Sequence, residues 1–288
     1  MADIQNGEAV SLSYEEVARM LPERKVHSHK GDYGKVLLIG GSDNTTGACI
    51  LCGRMILTAG AGLLTIMSVP EVVHTAHQVL PEAMTITLNE SDLESQLSEF
   101  DLNRFDLIVM GPGLGRSENT EKLLQYVLKT DKDVILDADG LFYLKRNLEL
   151  LKRKCRTVIT PHLVEYQRIF EYDPDRIRDD LKRITMMYPT LTVVLKSENT
   201  LIAHNGELIV NLTGNNALAK GGSGDVLTGV IGGLYAPQHK WETIPAAVYI
   251  HSLAADRWLE NHSAYSLLAS DLIQQIEKVL FEMSRKRK

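Results

Sequence analysis

The sequence predicts an α/β fold in which a mostly parallel central sheet carries helices on both faces. Short runs rich in Val, Ile and Leu recur along the chain, helical segments lie between many of them, and glycine-rich turns follow several. Near-continuous apolar runs are typical of parallel strands that are buried on both faces. The alternation of such strands with helices is typical of a doubly wound sheet.

The predicted strands are apolar runs bounded by glycine, proline or charged residues. In chain order they span residues 35–39, 63–69, 84–88, 106–110, 134–137, 157–160 and 192–196. Two further runs, 200–203 and 207–210, flank His204-Asn205-Gly206. An Asn-Gly pair between two strands predicts a β-hairpin, so a hairpin is expected after the parallel runs.

The predicted helices lie between these strands and in the last third of the chain. They span residues 46–60, 119–129, 163–170, 175–187, 246–261 and 268–285. The sequence contains no Pro- or Ser-rich linker and no internal repeat. We therefore expect one domain over 1–288, with residues 1–25 as an N-terminal extension of that domain.

The composition restricts the classes of partner. Hydrophobic residues make up 44% of the 288 residues and charged residues 24%, and 31 Lys and Arg against 37 Asp and Glu give a net charge of −6. Nucleic acid and anionic membranes attract basic surfaces, so neither partner is expected, and an anionic ligand needs a local site. The N-terminus lacks the pattern of a signal peptide, and the longest uncharged stretch, 55–70, is too short for a membrane span. A cytoplasmic location is expected.

The three cysteines are an odd number and too few for a disulfide framework. Cys49 and Cys52 form a C-x-x-C, which occurs in redox sites and as half of a zinc site. Their surroundings are apolar, however, and no second ligand pair follows at zinc spacing. The pattern favours two buried helical thiols that behave as small hydrophobic residues.

A glycine-rich segment carries the strongest chemical signal. Residues 215–229 read NNALAKGGSGDVLTG, with three glycines in four residues before an apolar helical run. Such a loop presents free N–H groups and a helix N-terminus to a phosphate, and Lys220 precedes the glycines, which excludes a Walker A loop. Asp225 then has two interpretations: a base that accepts a hydroxyl proton in phosphoryl transfer, or a first-turn Asp that only stabilises the helix dipole.

Several motifs occur in the order found in one known family. They are KGDYGK at 30–35, GGS at 40–42, TGA at 46–48, GAGL at 60–63, GPGLG at 111–115, DADG at 137–140, TPH at 160–162 and GGSGD at 221–225. Together they resemble the ADP- or ATP-dependent NAD(P)H-hydrate dehydratases of the ribokinase-like superfamily. The resemblance covers nearly the whole chain after about residue 25.

The resemblance implies a ribokinase-like fold and a repair activity. A member of this family would return the hydrated cofactors NADHX and NADPHX to NADH and NADPH, using ADP or ATP as phosphoryl donor with Mg²⁺. ADP is the donor expected here, with AMP and phosphate as products. The resemblance also implies a homotetramer and a separate NAD(P)HX epimerase chain that acts in the same pathway.

Residue roles follow from the same resemblance, position by position. The expected catalytic base is Asp225, which also contacts the hydrated nicotinamide. The other expected substrate-binding residues are Ala48, Gly113 and His162. The expected nucleotide-binding residues are Lys196, Ser197, Glu198, Asn199, Thr200 and Gly224. No metal ligand is assigned.

Each of these positions also has a plainer interpretation. Residues 111–115 could simply form a turn after a strand, and His162 could simply cap the following helix without binding substrate. Asp137 and Asp139 look like a pair of carboxylates for catalysis, but they could instead simply terminate their strand. Glu165 resembles the magnesium-linked Glu of the superfamily, but exposed helical Glu is common.

Two further points of the resemblance stay open. The family pattern Lys-Gly-x-x-Thr is Lys-Ser-Glu-Asn-Thr at 196–200, which puts the approach of its backbone to the nucleotide in doubt. The alternative functions are a kinase of the same superfamily acting on a vitamin-precursor alcohol, and a non-catalytic nucleotide sensor. An intact Asp225 argues against the sensor.

Overall fold

One sheet of nine strands organises the protein, and the computed structural model describes residues 10–286. The strands are β1 Lys35–Ile39, β2 Leu63–Ser68, β3 Met84–Thr87, β4 Leu107–Met110, β5 Asp133–Leu136, β6 Thr157–Ile159, β7 Leu191–Leu195, β8 Leu201–His204 and β9 Glu207–Val210. Their order across the sheet is β3-β2-β1-β4-β5-β6-β7-β8-β9. β1 to β7 pair in parallel, and β7, β8 and β9 pair antiparallel.

The described residues form ten α-helices, which cover both faces of the sheet. They are α1 Tyr14–Met20, α2 Thr46–Thr58, α3 Pro70–Val79, α4 Leu93–Glu99, α5 Glu118–Leu128, α6 Leu163–Ile169, α7 Ile177–Met187, α8 Ser223–Tyr235, α9 Thr243–Leu259 and α10 Ala269–Lys286. α1 to α3 and α8 to α10 contribute to the core on one face, and α4 to α7 to the core on the other. None of the helices within residues 10–286 is long and apolar enough to cross a membrane.

The alternation of side chains along a strand explains the two cores. In β1, Val36 and Leu38 belong to one core, while Leu37 and Ile39 belong to the other. All four are at most 1% exposed, because successive side chains of a strand point to opposite faces. A strand buried on both faces has to be apolar throughout, which is why the runs in the sequence were continuous.

The predicted α/β fold with a mostly parallel sheet is confirmed. Every predicted strand boundary lies within one residue of the observed one, and the hairpin forms between β8 and β9. At its turn Asn205 has φ 47° and Gly206 has φ 81°, the left-handed conformations that this kind of turn requires.

Three helices were not predicted: α1, α3 and α4. α3 contains the β-branched residues Val72, Val73 and Thr75, which lower its intrinsic helix propensity. Val72 is fully buried and lies so close to Gly41 that a Cβ on this glycine would be 2.8 Å from its Cγ2. Tertiary packing, rather than local preference, stabilises this helix.

Part of the predicted N-terminal extension is described, and residues 1–9 lie outside the described residues. The carbonyl of Val10 accepts a hydrogen bond from the Val210 amide of β9 (3.0 Å). α1 follows and packs against α9 and α10, with Val17 fully buried. Residues 10–21 thus belong to the packed structure, and the assignment of 1–288 to one domain stays a prediction.

Two features of the fold place the motif loops together. The helix after β1 lies on one face of the sheet and the helix after β4 on the other, so the winding reverses between these neighbouring strands. Ligands of doubly wound sheets bind beyond the carboxyl ends of the strands at such a point.

The close packing of α2 and α8 is the second feature. A Cβ on Gly229 would lie 2.6 Å from Met55 Cβ, and one on Gly233 would lie 2.4 Å from Ile56 O. Only glycine permits this approach of the two helices. It places their N-terminal turns, which carry Ala48 and Asp225, at the same edge of the sheet.

Candidate active site

The site is built around the N-terminus of α8. Gly222 precedes the helix in the left-handed conformation (φ 90°). A Cβ on Gly221 would meet no atom within 4 Å, and one on Gly224 would meet only Lys196 Nζ at 3.5 Å. The backbone at these two glycines therefore faces open space, where an anion can approach the N–H groups of the helix N-terminus.

Asp225 lies in the first turn of α8 in an unusual electrostatic environment. Its carboxylate accepts no hydrogen bond from any described residue between 10 and 286. Burial and the neighbouring Asp137 carboxylate raise the pKa of Asp225 to about 7, although the Lys196 ammonium opposes them. A carboxyl group that titrates near neutral pH is suited to accept a proton and release it again.

Asp137 follows β5 and lies in the interior beside Asp225. It is 1% exposed, and both of its carboxylate oxygens are used. Oδ1 contacts Lys196 Nζ at 2.8 Å, and Oδ2 accepts a hydrogen bond from Thr228 Oγ1 at 2.7 Å. Burial disfavours the charged ammonium, but Asp137 outweighs burial and raises the pKa of Lys196, which therefore stays protonated.

The loop after β6 joins the site at Lys196. The Lys196 amide donates to the Pro161 carbonyl (2.8 Å), and His162 pairs with Lys196 in an isolated parallel bridge. His162 caps α6: its Nδ1 accepts from the Glu165 amide at 3.2 Å, and Glu165 Oε2 accepts from the His162 amide at 2.9 Å. His162 therefore caps α6, and its side chain is half exposed toward the cleft described next.

A cleft of about 820 Å³ opens beside Gly224. One wall is the segment after β7, with Lys196, Ser197, Glu198 and Thr200, and the facing wall is the loop 213–220. His162 lines this cleft as well. The cleft combines a lysine, several backbone amides and an apolar floor, a composition suited to a nucleotide.

The floor of the cleft comes partly from α9. His251 Nε2 donates to the Ser223 carbonyl (3.0 Å), and burial lowers the pKa of His251 to about 4, so the ring is neutral. Asp256 accepts hydrogen bonds from the Gly214 amide and from Asn215 Nδ2, both at 2.8 Å. α9 therefore anchors both the start of α8 and the facing wall of the cleft.

A family model described as NAD(P)H-hydrate dehydratase matches residues 36–278. The chain belongs to the NAD(P)H-hydrate dehydratase family. The family membership and the kind of enzyme that the motifs predicted are thereby confirmed.

Individual relatives agree with this assignment. The chain is 36% identical over 274 residues to the ADP-dependent (S)-NAD(P)H-hydrate dehydratase of Bacillus subtilis, which covers 92% of this chain and 95% of that protein. It is 34% identical over 271 residues to the bifunctional NAD(P)H-hydrate repair enzyme Nnr of Vibrio cholerae, which covers 91% of this chain. The chain spans about half the length of that relative, 52%.

Solved structures show the same architecture. A ribokinase-like superfamily protein from Enterococcus faecalis superposes with a TM-score of 0.86 at 28% identity, covering 99% of this chain and all of that one. The ADP/ATP-dependent NAD(P)H-hydrate dehydratase from Bacillus subtilis, co-crystallised with ATP/Mg²⁺, superposes with a TM-score of 0.82 at 34% identity. It covers 94% of this chain and 97% of that one, and the ribokinase-like fold is confirmed.

The residues that the family resemblance assigned fall into two groups in space. Lys196, Gly224 and His162 lie at the cleft with Ser197, Glu198 and Thr200, whereas Asn199 does not line it. Its carbonyl instead accepts a hydrogen bond from Ser197 Oγ (2.7 Å). Ala48 and Gly113 lie outside this cleft, on the side of β1 and β4. The individual roles assigned to all these residues stay predictions.

The motif at 111–115 does more than turn the chain. Gly113 has φ 64°, and its carbonyl accepts a hydrogen bond from Thr45 Oγ1 (2.6 Å) at the start of α2. Gly111 has φ 127°, and a Cβ there would lie 1.8 Å from the Asp137 carbonyl oxygen. The loops after β1, β4 and β5 are thus locked together, and Gly113 and Ala48 belong to neighbouring segments.

Asp137 and Asp139 also do more than end their strand. Asp139 accepts hydrogen bonds from the Gly115 amide (2.9 Å) and from Arg116 Nε (2.8 Å), and so binds the loop after β4. The two carboxylates have different partners and do not form a catalytic pair. Glu165 is only 8% exposed, so the description of it as an ordinary exposed helical Glu was wrong.

The C-x-x-C of α2 lies beneath the site. Cys49 and Cys52 are fully buried, and both are free thiols. Burial raises the pKa of Cys49 to about 12, and it also raises the pKa of Cys52 well above its usual range. The prediction of buried, neutral helical thiols is confirmed.

Sequence reasoning missed the contributions of α9. His251, Ser252 and Asp256 lie in a helix without a glycine motif or a cluster of charge. Asn215 was part of the motif that we singled out, but its partner Asp256 is 41 residues away along the chain. No local signal points to such a pair.

Proposed function

We propose that this protein restores hydrated nicotinamide cofactors, NADHX and NADPHX, to NADH and NADPH in a reaction driven by a nucleotide. The observation that carries the proposal is Asp225: a carboxyl group that accepts no hydrogen bond from residues 10–286, with a pKa of about 7, at a glycine-rich helix N-terminus beside a nucleotide-sized cleft. This arrangement supports a base next to a phosphate site, which a phosphoryl transfer requires.

In the first step the ring hydroxyl of the hydrated nicotinamide is phosphorylated. Its oxygen forms a bond to the terminal phosphorus of the nucleotide, the bond to the leaving nucleotide breaks, and the hydroxyl proton goes to Asp225. The amides around Gly224 would hold the transferring phosphoryl group where negative charge develops. Lys196 would contact the donor phosphates from the other wall of the cleft.

In the second step the ring loses phosphate. Hydroxide is a poor leaving group, since its conjugate acid water has a pKa of 15.7, whereas phosphate is a far weaker base. The ring nitrogen supplies the electron pair that expels phosphate, and a proton leaves the neighbouring carbon to restore the double bond. The products are the reduced cofactor, inorganic phosphate and the shortened nucleotide.

Magnesium is expected to arrive with the nucleotide. Within residues 10–286 no group of three or more His, Cys, Asp or Glu side chains is placed to hold a metal ion. Asp137 is paired with Lys196, and Glu165 is engaged at the start of α6. Mg²⁺ commonly binds through one or two protein oxygens plus substrate phosphates, so we assign no protein ligand and no step to it.

We further propose ADP as the donor, a separate epimerase chain as pathway partner, and a homotetramer. The Bacillus subtilis relative is named ADP-dependent, which supports the donor. The bifunctional Vibrio cholerae relative is about twice as long, which supports a second activity in the same pathway. Light scattering on purified protein tests the tetramer.

The decisive experiment follows the reduced-nicotinamide absorbance. Protein is incubated with NADHX, Mg²⁺ and ADP, with ATP in a parallel reaction, and phosphate is measured alongside. We expect recovery of the absorbance and one phosphate released per cofactor restored, with AMP as product in the ADP reaction. No recovery with either donor, from folded protein that binds nucleotide, would refute the dehydratase. A stable phosphate ester on a vitamin-precursor alcohol would identify a kinase instead.

A further inference from the structure

Asp137 connects the segment after β7 to α8 through a single carboxylate. Oδ1 holds Lys196, which follows β7 on the nucleotide side, and Oδ2 holds Thr228 of α8. Thr228 is fully buried and follows Asp225 by three residues on the same helix. The helix that carries the expected base and the lysine that faces the nucleotide are therefore attached to the same group.

The backbone around Asp137 is held in a conformation that has a cost. Ala138, the next residue, has φ 50°, in the left-handed region that non-glycine residues rarely adopt. The Asp137 amide donates to the Met110 carbonyl (3.1 Å), and its carbonyl accepts from the Gly140 amide (2.9 Å). Strain that the surroundings maintain in this way is typical of functional positions.

We propose that Asp137 is a positioning residue that couples the nucleotide side of the site to the base, by holding Lys196 and the first turns of α8 in one fixed arrangement around Asp225. This inference rests on the proposed function, because it presumes that Asp225 is the base. It assigns to Asp137 no contact with substrate. Its role is to set the position and the charge environment of the groups that have such contacts.

The charges around Asp225 predict in which direction each substitution at the ion pair shifts the pKa of Asp225. The titratable groups that face it are Asp137 and Asp139 after β5, Lys196 after β7, and the neutral thiols Cys49 and Cys52 of α2. Because Asp225 accepts no hydrogen bond from residues 10–286, burial and these charges determine its pKa. Asp137 raises this pKa and Lys196 lowers it.

The test compares two substitutions at the same ion pair. Asp137→Asn keeps the shape and removes the negative charge, so the anion of Asp225 becomes more favourable. The acidic limb of the pH profile of kcat/KM should then move down by about one pH unit. Lys196→Met removes the positive charge, so the limb should move up by about as much. Opposite shifts from the two partners of one contact are the signature of the proposal.

Two control variants separate charge from structure. Thr228→Val removes a hydrogen bond to Asp137 but no charge, so the limb should stay in place while kcat falls a few-fold. Asp133→Asn makes the same charge change at the other end of β5, and should leave the limb unmoved. Circular dichroism and melting curves establish that each variant is folded.

A second readout needs no substrate. The stability gain from Asp225→Asn, measured by urea unfolding against pH, reports the pKa of Asp225. The pKa of Asp225 obtained in this way should be lower in the Asp137→Asn background and higher in the Lys196→Met background. Such shifts, together with no turnover of NADHX by the wild-type protein, would refute the proposed function and leave the coupling intact.

Three results would overturn the coupling. One is a loss of activity by the same factor at every pH in Asp137→Asn, with both readouts unmoved. Another is a shift of the same sign in both variants. The third applies if Asp137→Asn does not fold: Lys196→Met then decides alone, and an unmoved titration in that variant rejects the proposal.

Discussion

The two ends of α8 and of the β5 strand beside it hold partly buried carboxylates in contrasting states. At the amino end of β5, Asp133 accepts hydrogen bonds from Tyr235 Oη (2.7 Å), His239 Nδ1 (2.8 Å) and the Arg156 amide (2.7 Å). Burial opposes ionisation there, but these donors outweigh it and lower the pKa of Asp133. At the other end Asp225 has no donor among residues 10–286, and its pKa rises to about 7.

The difference shows what makes a carboxylate structural or reactive. A buried carboxylate that is saturated with donors has no reason to take up a proton at neutral pH, and it fastens the elements around it. A carboxylate that is buried without donors is unstable as an anion and ready to accept a proton. The same strand and helix provide both environments, about one helix length apart.

The largest effect, a loss of turnover, is expected when the carboxylate of Asp225 is removed. Asp225→Asn keeps the shape of the side chain but removes the base, so turnover should fall by roughly 10²–10⁴, the usual contribution of general-base catalysis. Nucleotide and NADHX should bind within a few-fold of wild type, as measured by calorimetry and by KM. Turnover near the wild-type rate would show that Asp225 only stabilises the helix dipole.

A smaller effect is expected at the neighbouring anion site. Gly224→Val places a β-branched side chain where phosphate oxygens would meet the backbone, so nucleotide affinity should fall by roughly tenfold or more, about 1.4 kcal/mol. Gly224→Ala is the matched control, because a Cβ there lies 3.5 Å from Lys196 Nζ, an ordinary contact. Unchanged ADP and ATP affinity of the valine variant in calorimetry would contradict the placement of the phosphates.

A third effect, on stability rather than on activity or binding, is expected at Asp133. Asp133→Asn should lower the free energy of unfolding by about 1–3 kcal/mol at pH 7, since it removes a charged acceptor from three donors. Because the folded pKa of Asp133 is lowered, its contribution is present above its unfolded pKa of about 4 and is lost as the pH falls further. Its activity should stay within about twofold of wild type, since no part of this cluster lines the cleft.

Asp225→Asn should have the opposite sign in the same urea experiment. Its raised pKa means that the folded state is penalised above pH 7 and is free of the penalty below about pH 4. The asparagine variant should therefore be more stable than wild type at pH 8, with the advantage lost at pH 4. If Asp133→Asn and Asp225→Asn changed the free energy of unfolding in the same direction at pH 8, the proposed difference between the two carboxylates would be wrong.

The sequence predicted the strands better than it predicted the helices. Strands such as Lys35–Ile39 are buried on both faces, so their composition alone marks them. The short helix α3 is helical because of what it packs against, since its β-branched residues Val72, Val73 and Thr75 lower its intrinsic helix propensity. The glycine motifs were informative because positive φ angles and close backbone approaches exclude other residues, as at Gly113 and Gly222.

The candidate site was only partly visible in the chain. Asp225, Gly224 and Lys196 stood in recognisable motifs, and the structure brings them within one region. The contacts that determine their chemistry were not visible, because the partners are distant in the sequence: Asp137 and Lys196 are 59 residues apart, and Asp137 and Thr228 are 91 apart. Asp256, which holds the wall of the cleft, carries no local signal at all.

By itself the sequence determined the α/β class, the parallel strands, the glycine loop before α8 and the family. The family came from the resemblance of the ordered motifs. The other features follow from local rules: side-chain alternation, continuous apolar runs, and the conformations that only glycine adopts. Only the tertiary structure decided which carboxylate is saturated with donors and which has none among residues 10–286. The proton affinity of a group depends on every charge and donor within a few ångströms in space, and those neighbours come from strands and helices far apart in the chain.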